Sequence, residues 1–203
     1  MKAVLFASSI RPGRLNDRVL KLVSGRLEAL GHSVQIVDPK ERQLPMLQTP
    51  LHFYGDPTKV PKELVELNSL VKDADILVFT TCEYNRSVPP ALSNLLDHLP
   101  PTTFGYKPAA IISYSPGSSA GIMASNNLVG LLGELGCLMT PHKVNIGLLT
   151  EKVSESGEPM GPQKARDALT AEIDLVIQQA AYIAQRMLDH SPSESQPKIH
   201  PYC

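Results

Sequence analysis

Short apolar runs alternate along this chain with polar connections rich in glycine and proline. "KAVLFA", residues 2–7, has the length and continuity of a strand buried on both faces. After the polar stretch 8–16, residues 17–31 place Val19, Leu20, Val23, Leu27 and Leu30 at helical spacing, and Gly31 ends the helix. A second strand is expected over 32–38. The proline-rich segment 39–61 has little periodicity and is long for an ordinary connection. A helix over 62–74 should turn Leu64, Val65, Leu67 or Asn68, and Val71 toward the sheet, and the third strand follows at 75–80.

Residues 90–99 read as a short helix whose first turn accepts proline, because the N–H groups there need no intrahelical partner. A fourth strand is expected over 107–115, a polar loop over 116–121 and a helix over 122–136. The fifth strand falls in "CLMTP", with a short edge near Val144–Leu148. A polar stretch, 150–161, precedes a long helix over 163–188 with Ala168, Leu169, Ile173, Val176, Ile177, Ala180 and Ile183 on its apolar side. Residues 190–203 lack periodicity and are expected to be a disordered tail. No repeat or linker divides residues 1–189, so one domain is expected there.

Regular alternation of strand and helix predicts an α/β fold, an open parallel sheet with helices on both faces. Such sheets bind ligands beyond the carboxyl ends of their strands. Three polar loops, 8–16, 81–89 and 114–121, leave three apolar strands and would meet at that edge.

Composition narrows the chemistry. With 19 Lys and Arg against 20 Asp and Glu spread along 203 residues, there is no basic stripe for tracking nucleic acid. The three cysteines, Cys82, Cys137 and Cys203, have no CxxC spacing and point to a reducing compartment, hence a cytoplasmic location. No apolar run reaches the roughly 20 residues of a membrane span, and the N-terminus is a poor signal peptide. Neither a Walker loop nor a GxGxxG fingerprint is present, nor a GxSxG elbow, nor HExxH. Those absences lower the odds of a nucleoside triphosphatase, a standard dehydrogenase, a serine hydrolase and a zinc site, and leave a mononucleotide open.

In the first loop, Ser8, Ser9, Arg11, Arg14 and Asn16 bring hydroxyl, amide and guanidinium donors to a helix N-terminus, where a phosphate could bind. The residues alone equally allow a capped connection with solvated arginines. In the middle loop, Tyr84 could lie against a planar ring while Asn85 and backbone amides bond its heteroatoms. Glu83 could instead orient the loop. Ser113, Ser115, Ser118 and Ser119, with Gly117 and Gly121, offer further contacts or simply a turn.

Taken in order, "SSIRPGRLN", "EYNRSVPPALSNLLDHL" and "SYSPGSSAGIMASNNL" resemble the NAD(P)H-dependent FMN reductase family, flavodoxin-like flavoproteins that include quinone and azo-dye reductases. The resemblance covers most of residues 1–188. It implies a five-stranded parallel sheet in the order 2-1-3-4-5, noncovalent FMN, and NADPH or NADH as electron donor. Carried over residue by residue, it places phosphate at Ser9, Arg11, Arg14 and Asn16 and the isoalloxazine near Glu83, Tyr84, Asn85, Arg86 and Ser87. Ser115, Pro116, Gly117 and Ser118 border the flavin. Arg14 stands where relatives often carry a small hydroxyl residue, and Cys82 where they frequently carry proline.

The resemblance further implies a homodimer or homotetramer, with 39–61 and 90–99 as interface candidates. The implied reaction passes hydride through flavin N5 to a quinone, azo compound, free flavin or similar small-molecule acceptor, with no catalytic side chain. The alternative is an FMN-binding sensor or oligomeric module with little turnover.

Overall fold

The computed structural model describes residues 1–189; the expected tail, 190–203, lies outside the described residues. β1 (Lys2–Phe6) leads to α1 (Asn16–Ala29), β2 (Ser33–Val37) and α2 (Pro39–Arg42). Turns of 3-10 helix at Leu51–Phe53 and Pro57–Lys59 punctuate the proline-rich segment before α3 (Lys62–Lys72) and β3 (Ile76–Thr81). Then come α4 (Pro90–Asp97), α5 (Pro101–Phe104), β4 (Pro108–Tyr114), α6 (Ile122–Glu134), β5 (Leu138–Met139), β6 (Val144–Ile146), α7 (Leu149–Lys152) and α8 (Gln163–Asp189).

The strands pair in parallel in the order β2-β1-β3-β4-β5, as expected, with Phe6 opposite Phe79 and Phe79 opposite Ile111. The fifth position is split. β5 pairs with Pro108 and Ala109, whereas β6 pairs further along β4 with Ile112–Tyr114. Pro141 lies in the interruption, and a residue without an N–H cannot carry the ladder through.

Both faces of the sheet are covered, which is why β3 and β4 are apolar without alternation. Leu5, Val78 and Ile112 pack beneath α1 and α8, while Phe6, Phe79 and Ile111 face α3, α4 and α6. Phe6 and Phe79 stack with centroids 4.6 Å apart on the second side.

Some expected core positions shift. Val65 is half exposed, and α3 buries Leu64, Leu67 and Val71 instead. Ala168 is exposed because the buried stripe of α8 begins at Ile173 and ends at Ala184. The polar stretch 150–161 is anchored on α1. There Arg18 Nη1 donates to the Val153 carbonyl and Lys21 Nζ to the Glu155 carbonyl, each at 2.9 Å.

Candidate functional site

Parallel pairing delivers the loops after β1, β3 and β4 to one edge. The first is built around Asn16, which is fully buried. Its Oδ1 accepts from the backbone N–H of Ser8 at 2.8 Å and of Ser9 at 3.2 Å, and its Nδ2 donates to Thr80 Oγ1 at 2.8 Å. Thr80 in turn donates to the Phe6 carbonyl at 2.8 Å. The amide of Asn16 therefore ties the loop to β1 and β3, and its polar atoms are turned inward.

The two loop arginines differ sharply. Arg14 forms a two-pronged pair with Asp38, at the end of β2, and also reaches Asp17 and the Ser9 carbonyl. Its side chain is 6% exposed and that of Asp38 is 4% exposed. The Asp38 hydrogen bond raises the Arg14 pKa against the opposing cost of burial. For Asp38, burial pushes upward but Arg14 and the Lys40 amide outweigh it, leaving the carboxyl below its ordinary range. Arg11 is exposed, and among the described residues no carboxylate pairs with it.

The middle loop is a tight hairpin. Tyr84 and Ser87 exchange backbone hydrogen bonds of 3.0 Å, and the tip residues Asn85 and Arg86 have φ of 51° and 62°. Glycine would relieve the left-handed conformation at Arg86. The hairpin is held from outside. Glu83 Oε2 accepts from the Met123 N–H at 3.0 Å, and Asn127 Nδ2 donates to the Arg86 carbonyl at 3.0 Å. Because the N-cap of α6 is Gly121, with no capping side chain, Glu83 caps that helix from another loop. Pro89 and Pro90 then start α4 as the sequence predicts.

The third loop completes the edge. Ser115 is buried, its Oγ donating to the Gly117 carbonyl at 2.7 Å, whereas Pro116, Gly117 and Ser118 are exposed. Gly121, at φ 71°, permits a close approach: a Cβ there would lie 3.0 Å from the Tyr114 carbonyl oxygen.

Tyr84 joins the first loop to the second. Its hydroxyl is 2.6 Å from Ser9 Oγ, and the Arg11 Cζ lies 3.6 Å from its ring centroid. The Tyr84 side chain faces the first loop. Cys82 is half-buried beside Ser8: its N–H donates to Ser8 Oγ at 3.2 Å. Behind it lies the buried Tyr114. Cys137 is remote from this edge, and burial pushes its thiol up to about 12.

Sequence reasoning missed Asp38, Thr80, Met123 and Asn127. Asp38 had a readable signal, since it directly follows the strand that pairs with β1. The other three act through contacts between elements distant in sequence.

A family model described as NADPH-dependent FMN reductase matches residues 1–151. The chain belongs to that family. Its members are NAD(P)H-dependent oxidoreductases that use FMN, and this chain is one of them. An NADPH azoreductase of Bacillus sp. (strain OY1-2) is 28% identical over 163 residues, covering 80% of this chain and 85% of the relative. An NAD(P)H-dependent FMN reductase of Pseudomonas aeruginosa is 30% identical over 120 residues, 58% of this chain and 61% of its own length. Among solved structures, the flavoenzyme NAD(P)H:(acceptor) oxidoreductase FerB of Paracoccus denitrificans shares the fold, with a TM-score of 0.73, 21% identity, and 89% and 97% of the two chains covered.

Proposed function

We propose that this family member oxidises NADPH or NADH through FMN at the three-loop edge and delivers the electrons to a quinone or azo compound. The observation that carries the reading is the convergence of the three loops, cross-tied by Tyr84 to Ser9 and by Glu83 to the start of α6. The donor set fits the cofactor. An exposed Arg11, which meets no carboxylate among the described residues, and the Ser9 hydroxyl suit a phosphate, while the Tyr84–Ser87 hairpin and the exposed Pro116–Ser118 stretch are suited to border a flat ring.

In this reading Ser9 and Arg11 bind phosphate. Asn16 and Arg14 build the loop that presents them. Backbone groups of Asn85, Arg86 and Ser87 position the ring, with Ser115 shaping the third wall. FMN, when bound, supplies the capacity to take up hydride and pass electrons onward; the chain supplies binding and orientation. The azo and quinone acceptors are suggested by relatives named NADPH azoreductase and quinone reductase.

The reading also includes a cytoplasmic homodimer or homotetramer. Among the described residues no helix is long and apolar enough to cross a membrane. Exposed Met46 and Phe53, and a cavity of about 490 Å³ lined by Ile10, Leu44, Met46, Pro90, Ala91 and Leu95 among others, support contact with a second copy near α4.

The test is an absorption spectrum of the purified protein, supplied with FMN, followed by anaerobic addition of NADPH or NADH. Bleaching of bound flavin, then recovery of colour on adding a quinone or azo dye, is expected. Flavin that binds but is not reduced would favour a sensor. Failure to take up FMN would overturn the proposal.

A further inference from the structure

Tyr84 occupies an unexpected place. Although its hairpin extends from β3, its side chain completes the loop after β1, seating one proposed phosphate ligand and touching the other. A guanidinium stacked on an aromatic face keeps its N–H donors in the plane of the group, so stacking fixes Arg11 without consuming its hydrogen bonds. Arg14, three residues later, has the opposite fate. Its donors are spent on Asp38, Asp17 and the Ser9 carbonyl.

The hydroxyl pair is equally informative. Ser9 Oγ accepts the Arg11 backbone N–H at 3.4 Å and lies 2.6 Å from the Tyr84 hydroxyl. If Tyr84 donates, both acceptor sites of Ser9 are filled from within the protein and its own O–H is left to point at a ligand oxygen. An oxyanion beside the loop favours that polarity. Burial, assisted by Cys82, raises the Tyr84 phenol above its ordinary value despite the opposing influence of Ser9 and Arg11. The phenol thus remains a neutral donor at neutral pH.

We infer that Tyr84 is a positioning residue for a phosphate monoester: its ring seats the Arg11 guanidinium and its hydroxyl, by donating to the buried Ser9 Oγ, leaves the Ser9 O–H to donate, so that two donors from one loop serve the terminal phosphate of FMN. The inference rests on the FMN reading above and deepens it. It also couples the two ends of the site. Glu83, the neighbouring residue, caps α6, so phosphate capture and the position of the ring-bordering hairpin share one short segment.

The test measures dissociation constants of FMN and riboflavin by flavin fluorescence quenching, using the full chain freed of flavin. Wild type, Tyr84→Phe, Tyr84→Leu, Arg11→Ala and the Arg11→Ala/Tyr84→Leu double variant are compared. Riboflavin has the ring and ribityl chain but no phosphate. Tyr84→Phe keeps the seat and removes the hydroxyl, which should weaken FMN binding about three- to tenfold. Tyr84→Leu removes both and should lower the FMN-to-riboflavin affinity ratio by about tenfold or more. If the seat acts through Arg11, the losses are less than additive, and the double variant binds FMN worse than Arg11→Ala by no more than the roughly three- to tenfold that the hydroxyl carries through Ser9.

Equal losses for FMN and riboflavin, or additive losses in the double variant, would overturn the inference. Should Tyr84→Leu fail to fold, the isosteric Tyr84→Phe decides by its FMN-to-riboflavin ratio: a fall supports the inference and an unchanged ratio overturns it. Failure of the wild type to bind FMN would overturn the cofactor reading itself, an outcome distinct from an unchanged ratio with FMN still bound.

Discussion

Replacing Asn16 with Ala separates building a loop from touching a ligand. Asn16 Oδ1 accepts from two backbone donors, the N–H groups of Ser8 and Ser9, residues that are 0% and 2% exposed. Truncation leaves both without that partner and removes the bond to Thr80, although Thr80 keeps the Phe6 carbonyl. An unsatisfied buried polar group costs about 1–3 kcal/mol, and water entering the vacated space recovers part of it, so the expected loss is about 3 kcal/mol. At roughly 2–4 °C per kcal/mol for a chain of this size, Tm should fall by roughly 6–12 °C. The assay is urea unfolding with and without saturating FMN. Destabilisation in both conditions is expected, with FMN affinity falling as a consequence of loop disorder. Stability within about 0.5 kcal/mol of wild type, coupled to lost FMN binding, would refute the reasoning and make Asn16 a direct ligand.

Asp38→Asn leaves the Arg14 guanidinium buried with only the half-exposed Asp17 as a carboxylate partner, and should cost about 3 kcal/mol, the lower end for a broken buried pair. Because the folded pKa of Asp38 is depressed, its stabilisation is fully present above the unfolded carboxylate pKa and is lost as pH falls through the folded value. Unfolding titrations below about pH 4 should therefore show a shallower acid loss in Asp38→Asn than in wild type, and parallel curves would refute the pairing. Gly157→Ala places a Cβ 2.6 Å from Lys21 Cβ at a φ of 89°; a loss of about 1–3 kcal/mol and faster proteolysis between Val153 and Pro159 are expected. Wild-type stability and protease resistance would show that the anchored turn yields without cost.

The legible parts of the fold are those in which one pattern reflects one environment. β3 and β4 read clearly because helices cover both sides, and α1 because its apolar spacing meets a single sheet face. Ala168 misled because the apolar spacing of α8 starts before the helix reaches the sheet at Ile173. The one-turn helices α2, α5 and α7 are too short for a period to emerge; prolines start the first two, and only contacts with the rest of the chain make such turns persist. The three candidate loops were legible for a topological reason: parallel order sends every strand's carboxyl end to the same edge. Tyr84 was placed in the right loop, but its direction depends on a hydrogen bond to a residue 75 positions away.

Arg11 and Arg14 show where sequence reasoning stops. Both are arginines in a glycine-containing turn before the same helix, and the one local difference, Asp17 three residues after Arg14, is itself half exposed and does not account for the burial of Arg14. The distinction comes from β2, whose register sets Val37 beside Phe6 and lets the Ala7 N–H bond to the Val37 carbonyl at 3.0 Å. The next residue, Asp38, is thereby brought against the first loop and captures Arg14. In the proposed FMN site, a lone carboxylate at this point would repel the phosphate. Arg14 therefore neutralises Asp38 and braces the loop at the Ser9 carbonyl. Arg11, over the Tyr84 ring, is left with a positive charge that no carboxylate among the described residues pairs.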